Sequence, residues 1–417
     1  MNNKKLLLIF LFVAVAVGFG YLLYRMFFMP TALVPGEEPG EVVVGPGAGL
    51  PTSPGEVVLP PDLAEPGLPG VEPTVPTEPT VPTVPTRPTP PSQVAVVQPV
   101  VASPTSGVSM NGSGALSFYN REDNKFYRMM PDGTMQKLTD KAFYNVSDAT
   151  FNPGGDKAII EYPDGSNIVY DFRTSQQTTL PKHWENFDFD PSGERIAAKS
   201  VGLDFNNRFI VTSNTDGSEV RAIQELGDNA DKVTVDWSPN GRYVALANTG
   251  DPCGADCGGV FLISQVKDGY NKLTIPGLGF VPEWSPDGNQ LLFSVMNSGN
   301  DWKPQLWIAD VTPGNVGGNR RSFNIKTWAD KCTFTDQSTV YCAVPRDMPT
   351  GAGMARRSTY AGGDDIVKLD LTTGLQTTVA RPEGSISIDE ILVTPDQQSI
   401  YITNKTTGFL NRINIGD

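Results

Sequence analysis

This sequence has almost no histidine, and it lacks the sequence motif that presents a nucleophilic serine. It contains one histidine, His183, and no Gly-x-Ser-x-Gly segment of the kind that presents a nucleophilic serine. A catalytic base needs a nucleophile and a cleft beside it, whereas a histidine on the surface or in a packing contact needs neither. We therefore predict no catalytic residues, no metal ligands and no required cofactor, and a protein that is not an enzyme.

Positive charge is also scarce. Lysine and arginine number 32 against 46 aspartates and glutamates, which gives a formal net charge of -14. Binding to nucleic acid or to anionic lipid headgroups relies on clustered positive charge. The net negative charge predicts that nucleic acid is not a partner. It does not identify which partner the protein has.

A long apolar run occurs near the N-terminus, at residues 6–23, after Lys4 and Lys5. At about 1.5 Å per residue, this run and its apolar flank match a bilayer core of roughly 30 Å. The lysines predict a cytoplasmic N-terminus. We predict a cytoplasmic stub and transmembrane signal anchor at residues 1–29, giving a single-pass protein of the cell membrane with the rest exported. A cleaved signal peptide is the alternative.

Proline dominates the next segment. Residues 30–106 hold 20 of the 36 prolines, and between Pro73 and Pro88 every third residue is proline. Such a tract has few groups to bury and cannot form a hydrogen-bonded ladder, so polyproline II is its accessible conformation. Residues 30–93 are predicted to be a disordered Pro/Thr-rich stalk.

The remainder of the chain repeats one pattern. Its clearest copy is Trp284-Ser285-Pro286-Asp287-Gly288 followed by a β-rich strand. This pattern is typical of a β-hairpin, because proline sets φ for a turn and glycine supplies the left-handed corner. The copies start at residues 108, 151, 189, 237, 284, 334 and 393, about 38 to 59 residues apart, which is the period of β-propeller blades.

The fold class is therefore all-β, a β-propeller of four-stranded blades over residues 94–417. Seven blades are favoured and six are the alternative. The last copy has three strands before the chain ends. Because an open ring would expose strand edges, we predict that residues 94–101 supply the closing strand.

The Trp-Ser-Pro-Asp-Gly runs at residues 237–241 and 284–288 resemble WD40-like, or PD40, repeats. Such repeats form the TolB β-propeller and the propellers of prolyl oligopeptidase-type peptidases, although no hydrolase domain follows here. The copies at residues 334 and 393 depart from the pattern by losing the glycine. The resemblance covers residues 108–417 and implies an extracytoplasmic propeller that binds other proteins. The resemblance does not indicate which residues of this chain would bind a partner.

Four cysteines fit an oxidising compartment. Cys332 and Cys342 flank one predicted hairpin symmetrically, a spacing that favours a cross-strand disulfide. Cys253 and Cys257 would close a small loop. A metal site built from all four is the alternative.

Three successive connections between second and third strands are long, at residues 247–259, 295–305 and 345–364. Long loops on one face of adjacent blades are where binding usually resides. The last of these loops is basic, and its neighbour carries an aromatic side chain. The predicted contacts for an acidic or aromatic-bearing envelope protein or glycan are Arg346, Arg356, Arg357, Tyr360 and Trp302.

Calcium at a blade loop is an open alternative, at Asp364 and Asp365 or at Asp251 and Asp256. In function, we predict a membrane-tethered extracytoplasmic β-propeller that serves as a binding or scaffold module of the cell envelope. The alternative is a propeller-type enzyme, a lyase or calcium-dependent hydrolase, with acids and bases converging in the central funnel. Because the innermost strands read as mostly apolar, this alternative is disfavoured. A sensor that reports to the cytoplasm ranks last.

Overall fold

The computed structural model describes residues 94–254, 256–266, 269–355 and 362–416. Within them no helix combines the length and the apolar character needed to cross a membrane. The predicted anchor and stalk lie outside these residues.

The described residues form strands joined by turns and short 3-10 helices. In chain order the first strands are β1 (Val94–Ala95), β2 (Gln98–Met110), β3 (Leu116–Asn120), β4 (Lys125–Met129), β5 (Met135–Lys137), β6 (Asp148–Phe151), β7 (Lys157–Glu161), β8 (Asn167–Asp171), β9 (Gln176–Leu180), β10 (Trp184–Phe189), β11 (Arg195–Val201), β12 (Arg208–Asn214), β13 (Arg221–Glu225) and β14 (Val233–Val235). They are followed by β15 (Tyr243–Gly250), β16 (Gly258–Ser264), β17 (Tyr270–Ile275), β18 (Leu278–Trp284), β19 (Gln290–Met296), β20 (Gln305–Asp310), β21 (Arg321–Ser322), β22 (Cys332–Phe334), β23 (Thr339–Pro345), β24 (Asp364–Asp370), β25 (Gln376–Pro382), β26 (Ile388–Val393), β27 (Ser399–Asn404) and β28 (Phe409–Asn414). The 3-10 helices are Phe205–Asn207, Gly227–Lys232, Ser298–Asn300, Ala329–Lys331 and Ala352–Ala355.

Five of the six sheets among the described residues are built on a four-stranded antiparallel blade, so the predicted all-β propeller class is confirmed. Four sheets have four strands each, in the orders β6 to β9, β10 to β13, β14 to β17 and β18 to β21. A fifth blade, β22 to β25, carries β1 on its outer edge in parallel. In every one of these blades the strands follow one another in chain order, as a propeller requires.

The prediction of seven separate blades, with six as the alternative, needs correction. Five blades are separate sheets, and the remaining strands form one continuous seven-stranded sheet in the order β26-β27-β28-β2-β3-β4-β5. The cause is β2, a strand of 13 residues. Its N-terminal half pairs with β28, and its C-terminal half pairs with β3. The single strand β2 therefore joins the last three strands, β26 to β28, to the first blade strands, β3 to β5.

The segment predicted to close the ring divides between two sheets. Gln98 pairs with Arg412 and Val101 pairs with Leu410, so this part of the segment lies beside β28. Val94 and Ala95 instead pair with the outer edge of β25. The pairing of β1 with β25 covers the outer edge of that blade. The pairing of β2 with β28 supplies the fourth strand beside β26, β27 and β28.

The repeated turn has a common hydrogen-bond pattern. The residue after the aromatic anchor accepts the backbone N–H five residues later: Tyr243 N donates to Ser238 Oγ at 2.9 Å, and Gln290 N donates to Ser285 Oγ at 2.9 Å. In the copy without glycine, Thr394 Oγ1 accepts from Ser399 N at 3.0 Å, and Gln397 adopts the left-handed conformation with φ of 54°. The side-chain acceptor therefore preserves the turn where the glycine is lost.

The anchoring tryptophans pack between blades. Trp184, Trp237, Trp284 and Trp328 are each at most 7% exposed. Trp237 lies in one apolar cluster with Ile210 of the preceding blade. Trp284 stacks on Tyr243 of the preceding blade, with ring centroids 6.0 Å apart. Burial of these large rings holds each blade against its neighbour.

Adjacent repeat turns also interlock at Gly288. Its φ is +64°, and a Cβ there would lie 2.7 Å from the Asn240 side chain and 2.9 Å from Asn240 N. We expect Gly288→Ala to lower the free energy of unfolding by about 1 to 3 kcal/mol, because both the backbone and the neighbouring turn must adjust. Urea denaturation measures this. Gly112→Ala is the control, because Gly112 has open space around its Cβ position, and an equal loss in both variants would contradict the prediction.

Candidate functional site

The three long loops are bonded to one another in series. Asp256, in the loop after β15, accepts hydrogen bonds from the backbone N and the Oγ of Ser298 in the loop after β19, the former at 3.3 Å. The loop after β19 is also bonded to the third loop, which follows β23, because Gly353 N donates to Trp302 O at 2.9 Å. We call the surface where Asp256, Ser298, Trp302 and Gly353 meet the loop face. Its three loops come from adjacent blades and form one continuous surface.

Trp302 is held in position by its backbone. Its φ is 56°, its N–H donates to Asn297 O at 3.0 Å, and its side chain is half-buried. Gly353 approaches so closely that a Cβ there would lie 2.8 Å from Trp302 O and 2.6 Å from the sulfur of Met296. Met354 follows and is 63% exposed. The loop face thus presents aromatic and thioether surface on a fixed backbone.

The other predicted contacts have different positions. Arg346 donates all five of its N–H groups within the protein: Nε to Asp365, and the two terminal nitrogens to the backbone oxygens of Gly362, Gly384, Asp364 and Pro382. Arg346 therefore fastens the third loop to the end of β25. Arg356, Arg357 and Tyr360 lie outside the described residues.

A cleft of about 410 Å³ opens beside Arg346. It is lined by Val94, Arg346, Arg381, Pro382, Glu383 and Gly384. Arg381 is 46% exposed and donates to Asp365 at 2.7 Å. Burial raises the pKa of Asp365, but hydrogen bonds from Arg381 and Arg346 outweigh it, so this pKa lies below its ordinary value. Asp365 therefore pairs with both arginines of this cleft.

Three of the four aspartates considered for calcium have partners within the protein. Asp364 forms an ion pair with Lys331 at 2.7 Å, and Asp365 lies between Arg346 and Arg381. Asp256 accepts from Ser298. In the part of the chain that the structure describes, no group of three or more His, Cys, Asp or Glu residues is placed to hold a metal ion.

The structure also contains carboxylates that the sequence analysis missed. Asp188, Asp236 and Glu283 each precede the aromatic anchor of a successive blade, and Glu390 lies on β26. We call these four the inner carboxylates. The description of the innermost strands as mostly apolar overlooked these single acids in or beside them. The signal was an acid directly before the anchor in three consecutive copies.

Burial raises the pKa of every inner carboxylate, and repulsion from other acids adds to it at Asp188, Glu283 and Glu390. Burial, then Asp236, raises the pKa of Asp188 to about 7, although the N–H groups of Trp237 and Phe189 partly offset this. Burial raises the pKa of Asp236 to about 6. Burial, with Asp389 and Asp148, raises the pKa of Glu390 to about 8.

Glu283 is the fourth inner carboxylate. Burial raises its pKa well above the ordinary value, and repulsion from Asp236, Asp330 and Glu390 adds to it. Glu283 and Glu390 lie on the innermost strands β18 and β26, and Asp236 follows the innermost strand β14, so acids of different blades share the inner part of the ring. The pKa of Glu161, at the end of β7, rises to about 7 through burial and the charges of Asp148 and Glu185.

One inner carboxylate also joins two blades. Asp188 Oδ2 accepts the backbone N–H of Trp237 at 2.6 Å, and Asn186 Oδ1 accepts that of Val235 at 2.8 Å. Side chains of β10 therefore satisfy backbone donors of the next innermost strand, which has no strand partner on that side.

Both predicted disulfides are confirmed. Cys332 and Cys342 lie opposite each other on β22 and β23, with Cα atoms 4.0 Å apart. Cys253 and Cys257 close the loop after β15, with Cα atoms 5.0 Å apart. The first pair is buried, whereas Cys253 is exposed and Cys257 is half-buried.

No family model matches the sequence. One similar protein is a component of eukaryotic translation initiation factor 3 from Bombyx mori, 28% identical over 135 residues. That match covers 29% of this chain and 19% of the initiation factor component, so the chain spans much less than two thirds of that protein.

Solved β-propellers resemble the fold. The β-propeller domain of Cps50 (Swd1) from Myceliophteria thermophila aligns with a TM-score of 0.50 and 10% identity, covering 76% of this chain and 99% of that domain. A prolyl endopeptidase aligns with a TM-score of 0.50 and 12% identity, covering 76% of this chain and 51% of that one. At these identities the likeness concerns the fold alone. The chain is similar to β-propellers, including that of a prolyl endopeptidase, as the repeat motifs indicated.

Proposed function

We propose that this chain is a membrane-tethered, extracytoplasmic β-propeller that binds an envelope protein or glycan through the loop face. The observation that carries the proposal is the bonding of three long loops into one surface, from Asp256 to Ser298 and from Trp302 to Gly353. Loops longer than a turn requires, held on a rigid scaffold, are the usual location of binding sites in such folds.

The chemistry of the loop face suggests the kind of partner. Trp302 and Met354 offer apolar contact area, and the adjoining segment carries Arg356, Arg357 and Tyr360 in the sequence. Tryptophan, tyrosine and arginine are the side chains that contribute most at contact hot spots. An acidic or aromatic-bearing surface is therefore the proposed complement.

The tether would add to this binding without adding a contact. The apolar run at residues 6–23 anchors the chain in our proposal, and the proline-rich segment at 30–93 serves as the stalk. A binding domain confined near a membrane meets partners in the same envelope at a raised effective concentration. A tag at the C-terminus of the full chain should be accessible to a membrane-impermeant reagent, and labelling only after lysis would refute this orientation.

The loop face is tested with the full-length chain in intact cells. We expect Arg356→Glu combined with Arg357→Glu to reduce crosslinking to the partner by at least about tenfold, as loss of a contact hot spot does. Quantitative mass spectrometry of crosslinked products measures this, and Trp302→Ala should give a similar loss.

The matched control applies the same charge change at or beside turns between third and fourth strands, which do not belong to the loop face. Arg173 and Arg221 have side chains 73% and 66% exposed, so replacing both with glutamate leaves the loop face intact. The proposal fails if the loop-face variant retains all the crosslinks of the unaltered chain, or if both variants lose them equally.

A propeller-type enzyme, a lyase or calcium-dependent hydrolase, is the second candidate, and the inner carboxylates are the observation that favours it. Acids with pKa values near neutrality at the centre of a fold are typical of functional sites as well as of structural networks. Its test is cleavage of envelope polysaccharides with and without added Ca²⁺. A cleavage activity that disappears in Glu283→Gln would support the enzyme, and the same rate in both proteins would remove it.

A further inference from the structure

We propose that the Cys253–Cys257 disulfide is a redox-controlled contact that holds the loop face together and is opened by a dithiol reductant. The inference rests on the proposed use of the loop face for binding. It begins from the different settings of the two disulfides. Cys332 and Cys342 are 4% and 0% exposed between β22 and β23, whereas Cys253 is exposed at the end of a loop. Thiol exchange requires access to a sulfur, so the two bonds differ in reactivity.

Opening the exposed disulfide should leave the propeller folded. The two cysteines are four residues apart in sequence. A cross-link that closes so short a loop restricts the unfolded chain little, and the strands on either side, β15 and β16, remain paired. Gly250 and Gly259 also approach so closely that a Cβ on Gly250 would lie 2.6 Å from Gly259 Cα. The base of the loop is therefore fixed independently of the disulfide.

The consequence appears at Asp256, which lies inside the disulfide loop. Its carboxylate accepts from the N and Oγ of Ser298, and this is the bond that joins the first loop to the second. The second loop holds the third, through Gly351 N donating to Asp301 O at 2.8 Å and Gly353 N donating to Trp302 O. Releasing the disulfide frees Asp256 to leave Ser298, and the loop face loses its first connection.

The chemistry is a thiol–disulfide exchange. A thiolate of the dithiol attacks Sγ of Cys253, the bond to Cys257 breaks, and Cys257 leaves as a thiolate that takes a proton from water. The second thiol of the reductant then displaces Cys253. The protein gains two electrons and two protons as two thiols, and the reductant becomes a disulfide.

The first measurement is the selectivity of reduction. The folded full-length chain is treated with dithiothreitol, and free thiols are alkylated and located by mass spectrometry. We expect Cys253 and Cys257 to be labelled at least about tenfold faster than Cys332 and Cys342, since the buried pair requires an opening of the blade. Equal labelling of both pairs would overturn the proposal.

The second measurement reports the loop face directly. Ser298 N–H and Gly353 N–H are donors in the two bonds between loops, so their hydrogen exchange should accelerate after reduction. Cys253→Ser combined with Cys257→Ser should show the fast exchange without a reductant. Asp256→Ala, which removes both bonds to Ser298, should show fast exchange at Gly353 whether or not dithiothreitol is present. Unchanged exchange at Ser298 after selective reduction would overturn the proposal.

Partner crosslinking under the same conditions separates this inference from the proposed function. Faster exchange with weaker crosslinking supports both. Faster exchange with unchanged crosslinking supports the redox-controlled contact and refutes the loop face as the binding surface.

Discussion

Replacing Asp364 with alanine should destabilise the propeller by about 3 to 5 kcal/mol, because it leaves the Lys331 cation buried without its partner. The Lys331 Nζ to Asp364 Oδ2 distance is 2.7 Å, and the side chains are 12% and 2% exposed. The same oxygen accepts the N–H of Ile388 at 2.6 Å. Asp364 thus joins β24, the lysine before β22 and the first strand of the next sheet. Urea denaturation monitored by tryptophan fluorescence measures the loss.

Two further variants test the cause. Asp364→Asn with Lys331→Met removes both charges and keeps an acceptor for Ile388, so it should recover most of the lost stability. Asp164→Ala removes an exposed ion pair, in which the side chains are 64% and 67% exposed, and should cost far less. A loss in Asp364→Ala no larger than that in Asp164→Ala would contradict the prediction.

The free energy of unfolding should fall as the pH rises from about 5 to about 8. The inner carboxylates and Glu161 have folded pKa values raised above the ordinary values, to about 6 for Asp236, about 7 for Asp188 and Glu161, and about 8 for Glu390. Between the unfolded and folded pKa values the folded state binds more protons than the unfolded state. Its stability is therefore greatest at the acid end of this range and is lost as the carboxylates ionise.

The expected size of this change is large. One pKa unit corresponds to about 1.4 kcal/mol, so several raised groups together should lower stability by at least about 2 kcal/mol over the range. Acids with lowered pKa values, such as Asp365, lose their contribution only below about pH 4, outside this range. Urea denaturation at pH 5, 6.5 and 8 at constant ionic strength measures the slope.

Glu283→Gln identifies the source of the slope. The charge of Glu283 is disfavoured by burial and is repelled by Asp236, Asp330 and Glu390. We expect the variant to be more stable than the unaltered protein at pH 8 and nearly equal to it at pH 5. Asp132→Asn, at an exposed turn, is the control and should leave the slope unchanged. A slope that is zero or rises with pH would contradict the assignment.

The repeat was legible because its signals are local. Gly241 and Gly288 adopt the left-handed conformation that the turn needs, and Ser238 and Ser285 accept the hydrogen bonds that close it, all within six residues. The cross-strand disulfide was predictable for the same reason, since a hairpin centred on Gln337 places Cys332 opposite Cys342. Both features depend on near neighbours in sequence.

The site was harder to predict, because it depends on contacts between residues far apart in the chain. The length of the three loops was visible, but the bonds from Asp256 to Ser298 and from Gly353 to Trp302 were not. Arg346 looked available for a partner, whereas folding engages its five N–H groups with backbone and carboxylate oxygens up to 38 residues away. Charge and side-chain type do not show which groups are already satisfied.

By itself, the sequence determined the strand pattern, the turn chemistry and the acidic balance, because each follows from the residue types in one repeat. Tertiary structure alone decided that β2 belongs to two halves of one sheet, that three loops bond in series, and that acids on or beside the innermost strands of several blades share the inner part of the ring. The physical reason is ring closure: it brings equivalent positions of distant repeats to one axis, where burial and repulsion act on groups that are separated in the chain.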